Sequence, residues 1–200
     1  MKMLKATVTS VEKAARIVTK GGVVVYPTDT VYGLGCNPFN EEAVEKIFKI
    51  KGERIKPLPI LASGVEEIEK IAHTTDKALR LAEKFWPGPL TMVLPKKASL
   101  PSIATRDWNS VAVRVPNHKV ALELIRMSGG LLIGTSANKT GKKPPQTAQE
   151  ASKQIGEEVD LIIDDGPTPI GASSTIIDLT QSKPKILRQG PIKLKDILSS

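Results

Sequence analysis

Short runs of β-branched and aliphatic residues alternate with amphipathic segments along the chain, and this alternation limits the possible folds more than any other feature. Residues 23–26 read Val-Val-Val-Tyr and predict a buried strand. Residues 41–49 place their apolar side chains on one side of a predicted helix. Strands that alternate with helices are typical of α/β proteins. The sequence therefore predicts an α/β fold, a single-domain twisted mixed sheet flanked by helices.

The same patterns predict the other elements. Further helices are predicted over residues 11–20, 65–72, 76–85, 118–127 and 147–155. Further strands are predicted over residues 58–61, 90–94, 111–115, 131–134, 161–163, 174–179 and 186–188. Pro59 suggests that its strand is an edge strand or carries a bulge. Residues 95–109 are predicted to form a loop.

Length and composition are those of one globular domain with a sizeable core, with 40% hydrophobic and 25% charged residues in a chain of 200. We expect the domain to occupy residues 1–200, with a core from about residue 8 to about residue 195. Cys36 is the single cysteine and cannot form an internal disulfide bond, which favours a reducing compartment. No apolar run approaches the roughly 20 residues of a membrane span, and no secretory signal is visible. These features predict a cytoplasmic protein without membrane association.

The net charge of +8 favours anionic partners such as nucleotides or nucleic acid. The lysines are scattered along the chain, however, and a solvated lysine-rich surface would have the same composition. Aromatic residues make up only 4% of the chain, which is few for stacking on single-stranded nucleic acid. The charge therefore permits binding of tRNA without selecting it.

Polar side chains collect where predicted strands end, which is where open α/β sheets bind ligands. Residues 26–35, Tyr-Pro-Thr-Asp-Thr-Val-Tyr-Gly-Leu-Gly, follow a buried strand with two hydroxyls and a carboxylate. Residues 134–141, Gly-Thr-Ser-Ala-Asn-Lys-Thr-Gly, offer donors to a phosphate or an oxyanion. An ordinary Asx turn and a satisfied loop are the alternatives at these two places.

Cations supply the other two candidate groups. Lys51, Arg54 and Lys56 crowd a loop that could hold triphosphate oxygens, although a solvated basic loop after a helix is an equal alternative. Arg114 and Arg188 lie within predicted strands. The two-residue period of a strand puts Ser110, Ala112 and Arg114 on one face, so Arg114 could bind a carboxylate if that face lines a cavity. Hydroxyls at residues 173–175 stand just before another strand.

Other catalytic arrangements are missing from the sequence. It has no Cys-x-x-Cys pair, no Walker P-loop and no Gly-x-Ser-x-Gly elbow. His73 and His118 have no partner at metal-ligand spacing and are interpreted as surface or capping residues. Cys36 lacks an activating base and is interpreted as a packing residue. Hydroxyls, cations and amides without a nucleophile favour phosphoanhydride chemistry, where positioning and charge neutralisation do most of the work.

Six motifs in order give the chain a family resemblance. They are YPTDTVYGLG at residues 26–35, FWPGPLT at 85–91, VAVRVP at 111–116, SAN at 136–138, STIID at 174–178 and LRQG at 187–190. With them the chain resembles the YrdC/Sua5 family of threonylcarbamoyl-AMP synthases over nearly its whole length. Its length is similar to that of the stand-alone form without the extra C-terminal domain of longer Sua5 proteins.

The resemblance implies a fold around a large basic concave cavity and a specific reaction. L-threonine, bicarbonate and ATP would give threonylcarbamoyl-AMP and pyrophosphate, with Mg²⁺ entering mainly with ATP. The product would be passed to the tRNA threonylcarbamoyl transferase machinery for t6A37 modification, with direct tRNA contact left open. The residues implied to contact ATP or the adenylate are Lys51, Arg54, Ser110, Ser136, Asn138, Pro144 and Arg188, of which Lys51, Arg54, Ser136 and Asn138 are the implied catalytic group. Those implied for threonine and bicarbonate are Thr28, Thr30, Arg114, Gly134 and Ser174.

The chain departs from the family pattern at two places. Arg54 comes one residue later than the arginine of the family's Lys-x-Arg motif, so Lys51 and Lys56 are alternatives for its role. Pro144 stands where relatives often carry a serine.

Two other functions remain open from the sequence. One is an RNA-binding or ribosome-maturation factor that uses the basic cavity, which would show steeply salt-dependent RNA affinity. The other is a carbamoyl-adenylate enzyme of the hydrogenase-maturation kind. The lack of acylphosphatase-like and zinc-finger segments, together with a single cysteine, counts against this second alternative.

Overall fold

The computed structural model of the protein describes residues 2–52 and 56–198. The helices within these residues are α1 (Val8–Thr19), α2 (Glu41–Lys51), α3 (Val65–Ile71), α4 (Asp76–Phe85), α5 (Ser102–Thr105), α6 (Lys119–Met127), α7 (Ala148–Ile155) and α8 (Leu194–Leu198). The strands are β1 (Met3–Lys5), β2 (Val24–Tyr26), β3 (Gly33–Gly35), β4 (Ile60–Ala62), β5 (Leu90–Pro95), β6 (Ser110–Arg114), β7 (Leu131–Ile133), β8 (Thr135–Ser136), β9 (Leu161–Asp164), β10 (Thr175–Asp178) and β11 (Lys185–Arg188).

The strands form two sheets with mixed strand directions. One has the order β1-β9-β2-β3-β8 and the other the order β11-β10-β5-β6-β4-β7. β9 pairs in parallel with β1 and β2, whereas β5 and β6 are antiparallel. The α/β class and the mixed sheet are confirmed, but the strands divide between two sheets where the sequence predicted one. Periodicity identifies a strand without identifying its partner, so the sequence could not show this division.

The two sheets meet where β7 passes into β8, and Gly134 is the single residue between these strands. Its N–H donates to the carbonyl oxygen of Pro59 at 2.8 Å. A Cβ atom at this position would lie 2.3 Å from Cγ of Leu61. Glycine is therefore needed because the backbone of this corner packs directly against a β4 side chain.

Replacing Gly134 with alanine is expected to lower the free energy of unfolding by about 1–3 kcal/mol, the usual cost of overpacking a core. Urea unfolding monitored by circular dichroism measures the loss. Gly141→Ala is not an equivalent control because that glycine has a positive φ, at which any added side chain is strained. An unchanged free energy of unfolding for the alanine variant would contradict this account of the corner.

Apolar side chains fill the space between the sheets and also cover one outer face. The larger core joins both sheets to α2, α3, α4 and α7, and the apolar face predicted for α2 is buried in it. A second core packs α1 and α6 against the outer face of β2 and β9. α1 begins with a capping box in which Thr7 Oγ1 accepts from the Ser10 N–H and Ser10 Oγ accepts from the Thr7 N–H. Such caps satisfy N–H groups that the helix leaves unpaired.

Several short elements differ from the sequence prediction. β1, β3, β8, α5 and α8 were not predicted, and α5 lies inside the predicted loop 95–109. The suggestion that Pro59 marks an edge strand is wrong, since β4 begins one residue later and lies between β6 and β7. Strands of two or three residues, one of them Gly-Leu-Gly, carry no readable alternation, which explains why they were missed.

In the described part of the chain, none of the helices has the length and apolar character to cross a membrane.

Candidate anion-binding site

Four of the predicted site residues come together where neighbouring strands of the six-stranded sheet begin or end. Arg114 ends β6, Ser174 immediately precedes β10, and Arg188 ends β11. The register places Thr175 beside Leu90 and Ile176 beside Arg188, so these strand ends are neighbours. The loop after β2 reaches this edge from the other sheet, because Thr30 contacts Arg114. Strand pairing therefore brings together groups that are far apart in the sequence.

Arg114 is the centre of this cluster and is buried. Its Nε donates to the carbonyl oxygen of Gly88 at 2.8 Å, and its Nη1 donates to Thr30 Oγ1 at 2.8 Å. Its Nη2 donates to Oδ1 of Asp29, with which it forms an ion pair. A guanidinium has five N–H donors, so two remain without a partner among the described residues. One lies on each terminal nitrogen. This pair of N–H groups, the fork of Arg114, is able to donate two hydrogen bonds to an anion such as a carboxylate.

The hydroxyls of Thr28 and Thr30 form a directed chain with Arg114. Thr28 Oγ1 donates to the carbonyl oxygen of Val31 at 2.7 Å, which uses its only proton. In the 3.0 Å contact between the two hydroxyls, Thr30 must therefore be the donor. Thr30 Oγ1 also accepts from Arg114, so it can offer an additional partner only a lone pair. Both side chains orient the arginine, and Thr30 can contact a ligand only as an acceptor.

Asp29 belongs to this cluster. The sequence placed its carboxylate in a candidate site segment, with an Asx turn as the alternative, and gave it no role toward a ligand. Its carboxylate is buried, and Oδ1 accepts from Arg114 and from the backbone N–H of Asn117 at 3.2 Å. Oδ2 is buried without a hydrogen-bond partner in the described part of the chain. The only sequence signal was an acidic residue between two threonines after a buried strand, which many turns share.

Arg188 and Ser174 form the second half of the cluster. Arg188 Nε donates to the carbonyl oxygen of Ser174 at 2.9 Å, and its Nη2 donates to Ser174 Oγ at 3.1 Å. Ser174 Oγ also shares a 2.7 Å hydrogen bond with Thr91 Oγ1, a residue that the sequence did not single out. Burial lowers the pKa of Arg188, and the positive charge of Arg114 lowers it further.

The charges of this cluster favour an anion. Burial lowers the pKa of Arg114, and the Asp29 carboxylate opposes that shift by stabilising the charged guanidinium. Asp29 pairs with Arg114, and the positive charge of Arg114 is close enough to Arg188 to lower the pKa of Arg188. A bound anion would relieve the repulsion between the two arginines in a site where burial keeps electrostatic interactions strong.

Lys51 stabilises the loop that follows β8 through hydrogen bonds from its side chain. It is buried at the end of α2, and its Nζ donates to the carbonyl oxygens of Ser136 at 2.7 Å and Asn138 at 2.6 Å. Nζ also lies 3.4 Å from Oδ1 of Asn138. The backbone N–H of Thr140 donates to the Lys51 carbonyl oxygen at 3.0 Å. The structure thus brings Lys51, Ser136 and Asn138 together, and their role toward ATP stays a prediction.

Asn138 and Ser136 differ in what they still offer to a ligand. Nδ2 of Asn138 donates to the carbonyl oxygens of Lys139 at 2.7 Å and Lys142 at 2.8 Å, so its amide supports the loop. Ser136 Oγ is half-buried and makes no hydrogen bond to the described residues. Of these two predicted phosphate contacts, Ser136 has a side-chain group that no described residue uses, whereas both amide hydrogens of Asn138 are used. The role of Asn138 toward phosphate stays a prediction.

The remaining predicted residues lie elsewhere. Ser110 begins β6, so it lies four residues from Arg114, or about 13 Å at the usual rise of a strand. It lines a separate open depression together with Trp108. Pro144 lies in the loop before α7, and the Gly134 N–H is already used by Pro59. Arg54 lies outside the described residues, and the large basic cavity stays a prediction.

Neither Cys36 nor His118 completes a nucleophilic or metal site. Cys36 is buried, and burial raises the pKa of its thiol to about 12, which keeps it protonated. His118 occupies the N-cap position of α6 without a side-chain capping bond, and its Nε2 lies 3.6 Å from Asp165 Oδ2. Burial lowers the pKa of His118. Among residues 2–52 and 56–198, no three His, Cys, Asp or Glu side chains are placed to hold a metal ion.

Comparison with known proteins identifies the family. The family model Sua5_yciO_yrdC, described as "Telomere recombination", matches residues 16–190. The chain is 42% identical over 186 residues to threonylcarbamoyl-AMP synthase of Pyrococcus abyssi and 37% identical over 190 residues to that of Bacillus subtilis. These matches cover 92% and 94% of this chain, which spans 55% of each relative's length.

A solved structure agrees with the sequence relatives. The crystal structure of P. abyssi Sua5 complexed with L-threonine superposes with a TM-score of 0.94 at 40% identity. The superposition covers 99% of this chain and 59% of that protein. A match over this much of the chain, in sequence and in fold, establishes that the chain belongs to the Sua5/YciO/YrdC family.

Proposed function

We propose that this chain is a nucleotidyltransferase that makes threonylcarbamoyl-AMP from L-threonine, bicarbonate and ATP. The observation that carries the proposal is buried Arg114, which keeps two N–H groups without a partner among the described residues beside a second arginine. The proposal is supported by the relatives named threonylcarbamoyl-AMP synthase and by a similar structure with L-threonine. The two longer relatives extend well beyond the matched region, so the activity of this chain has to be tested on the chain itself.

At the threonine end, Arg114 would bind the amino-acid carboxylate through its remaining fork of N–H groups. Thr30 would accept a hydrogen bond from the amine or hydroxyl of threonine, since its own proton is used by Thr28. The Ser174 hydroxyl and the backbone at Gly134 would border the same end. Thr28 would act through Thr30 by orienting it.

The reaction would proceed in two steps. The threonine nitrogen forms an N–C bond to the carbon derived from bicarbonate, with overall release of one water and one proton, and a carbamate results. A carbamate oxygen then attacks the α-phosphorus of ATP. A new P–O bond forms, the bond from the α-phosphorus to its bridging oxygen breaks, and pyrophosphate leaves with the electron pair. Holding the reactants in line accounts for most of such catalysis.

At the ATP end, cations and hydroxyl groups would neutralise and hold the phosphates. Ser136 offers a hydroxyl that no described residue uses, and Arg188 adds positive charge near Arg114. The further residues proposed for this end are Lys51, Arg54, Ser110, Asn138 and Pro144. The charged groups that meet here are mainly cationic, so Mg²⁺ is proposed to arrive bound to ATP rather than in a protein carboxylate cage.

The product is proposed to serve t6A37 modification of tRNA through a separate transferase in the cytoplasm. Incubating the purified chain with ATP, bicarbonate and radiolabelled L-threonine should give threonine-dependent pyrophosphate and a labelled adenylate. L-Serine and D-threonine are matched substrate controls. A well-folded chain that releases no threonine-dependent pyrophosphate would contradict the proposal, and tight salt-dependent RNA binding by such a chain would favour the RNA-binding alternative.

Replacing Ser136 with alanine is expected to raise the KM for ATP about ten- to a hundredfold, the loss of one hydrogen bond to a charged group. The free energy of unfolding should change by less than about 0.5 kcal/mol, because no described residue loses a partner. Steady-state kinetics with varied ATP measures the effect. Ser182→Ala, an exposed serine between β10 and β11, is the control. An unchanged KM for ATP would remove Ser136 from the ATP end.

A further inference from the structure

We infer that Asp29 is a positioning residue that holds Arg114 in the orientation needed to bind the carboxylate of the amino-acid substrate. This inference rests on the proposed function and assigns a role to a residue that contacts neither ATP nor threonine in the scheme above. Its evidence is the geometry around the buried guanidinium.

Three partners hold Arg114 on three sides. Gly88 accepts from Nε, Thr30 accepts from Nη1, and Asp29 accepts from Nη2. Gly88 offers a backbone carbonyl, and Thr30 offers a neutral hydroxyl. All three bonds are charge-assisted because the guanidinium is ionised. Among the three, Asp29 is the charged acceptor, so its bond adds the attraction of a buried ion pair. The plane of the guanidinium is therefore set mainly by Asp29.

Asp29 is itself fixed by the backbone. Its Oδ1 accepts from the N–H of Asn117, three residues beyond Arg114 on the same chain segment. The N–H of Ile170 donates to its carbonyl oxygen at 3.0 Å. Thr28 and Thr30, on either side of it, are hydrogen-bonded to each other. The carboxylate thus links the loop after β2 to the end of β6, and it cannot shift without moving both.

The charge of Asp29 has a second effect. Arg114 and Arg188 lie close enough to repel each other, and Asp29 is the carboxylate that pairs with Arg114. Without this negative charge, Arg114 would be driven away from Arg188 or toward any anion that enters. Asp29 therefore keeps the fork of Arg114 in one place before the substrate binds. Preorganisation of this kind lowers the cost of binding.

The experiment compares wild-type protein with Asp29→Asn, which keeps the shape and one acceptor oxygen but removes the charge. Asp164→Asn is the matched control, because Asp164 is also buried and ion-paired, to Lys5 at 2.7 Å, but has no contact with Arg114. The first measurement is the nitrogen–proton NMR spectrum of arginine side chains, with Arg114→Lys used to assign the Arg114 signals. The second is the KM for threonine, the KM for ATP and kcat for each protein.

We expect slowly exchanging Arg114 N–H signals in the wild type and in Asp164→Asn, and their broadening or loss in Asp29→Asn. The KM for threonine should rise about ten- to a hundredfold in Asp29→Asn, as expected when a binding group is misplaced, while the KM for ATP stays within about twofold. A general folding defect would raise both constants or lower the fraction of active protein.

Two results would overturn the inference. One is an unchanged Arg114 spectrum in Asp29→Asn, and the other is a KM for threonine that is unchanged or rises equally in Asp164→Asn. A wild-type protein without threonine-dependent activity would instead contradict the proposed function. In that case the NMR comparison still decides whether Asp29 holds Arg114.

Discussion

Replacing Arg114 with methionine is expected to abolish threonine-dependent pyrophosphate release and to lower the free energy of unfolding by about 3–5 kcal/mol. The activity is lost because the fork proposed to bind the substrate carboxylate is removed. The stability is lost because Asp29 becomes a buried charge without its partner. Pyrophosphate release and urea unfolding measure the two effects, and calorimetric titration with threonine alone should show no binding.

The double variant Asp29→Asn/Arg114→Met separates these two effects. It removes both buried charges, so the free energy of unfolding should recover by at least about half of the single-variant loss. Threonine binding should stay absent, since the fork is still missing. Recovery of threonine-dependent activity in the double variant would show that Arg114 is needed only for folding.

Replacing Lys51 with methionine is expected to lower the free energy of unfolding by about 2–4 kcal/mol, because charged hydrogen bonds to two backbone carbonyl oxygens are lost. It should also raise the KM for ATP at least about tenfold, because the loop that carries Ser136 loses its support and the site loses a positive charge. The KM for threonine should change much less, since Arg114 and Thr30 make no contact with Lys51.

Lys46→Met is the matched control, because Lys46 lies on the same helix, is exposed, and makes a single 3.3 Å bond to the carbonyl oxygen of Gly21. Its free energy of unfolding should change by less than about 0.5 kcal/mol. Urea unfolding and kinetics with varied ATP compare the two variants. Equal effects in both would contradict a specific role for the buried ammonium of Lys51.

Local patterns predicted the longer elements well. α4 runs over Asp76–Phe85, the range read from the sequence, and the apolar face of α2 is buried as predicted. In these segments side-chain periodicity repeats over at least two turns, so neighbours along the chain suffice to identify the helix. The strand β3, Gly-Leu-Gly, has no such repeat and exists because β2 and β8 pair with it on either side.

The site was predicted in part. The motifs identified Arg114, Arg188, Ser174 and Thr30, which the structure brings together. They did not identify Asp29, because a carboxylate in a turn and one that holds a buried arginine have the same local sequence. They also grouped Ser110 with Arg114 by strand period, although the two lie at opposite ends of β6. The two-residue period of a strand shows which face of the sheet a side chain lies on, but it does not show how far apart two such side chains are along the strand.

The sequence by itself determined the α/β class, the longer helices, the family resemblance and the residue types that favour an anion at the candidate site. Only the tertiary structure decided that two sheets meet at Gly134 and that Lys51 supports the loop of Ser136. It also decided that the protons of Thr28 and Thr30 are already used, whereas two N–H groups of Arg114 have no partner among the described residues. The physical reason is that residue type sets what a group can bind, whereas its remaining hydrogen-bonding capacity depends on partners that folding brings from distant parts of the chain.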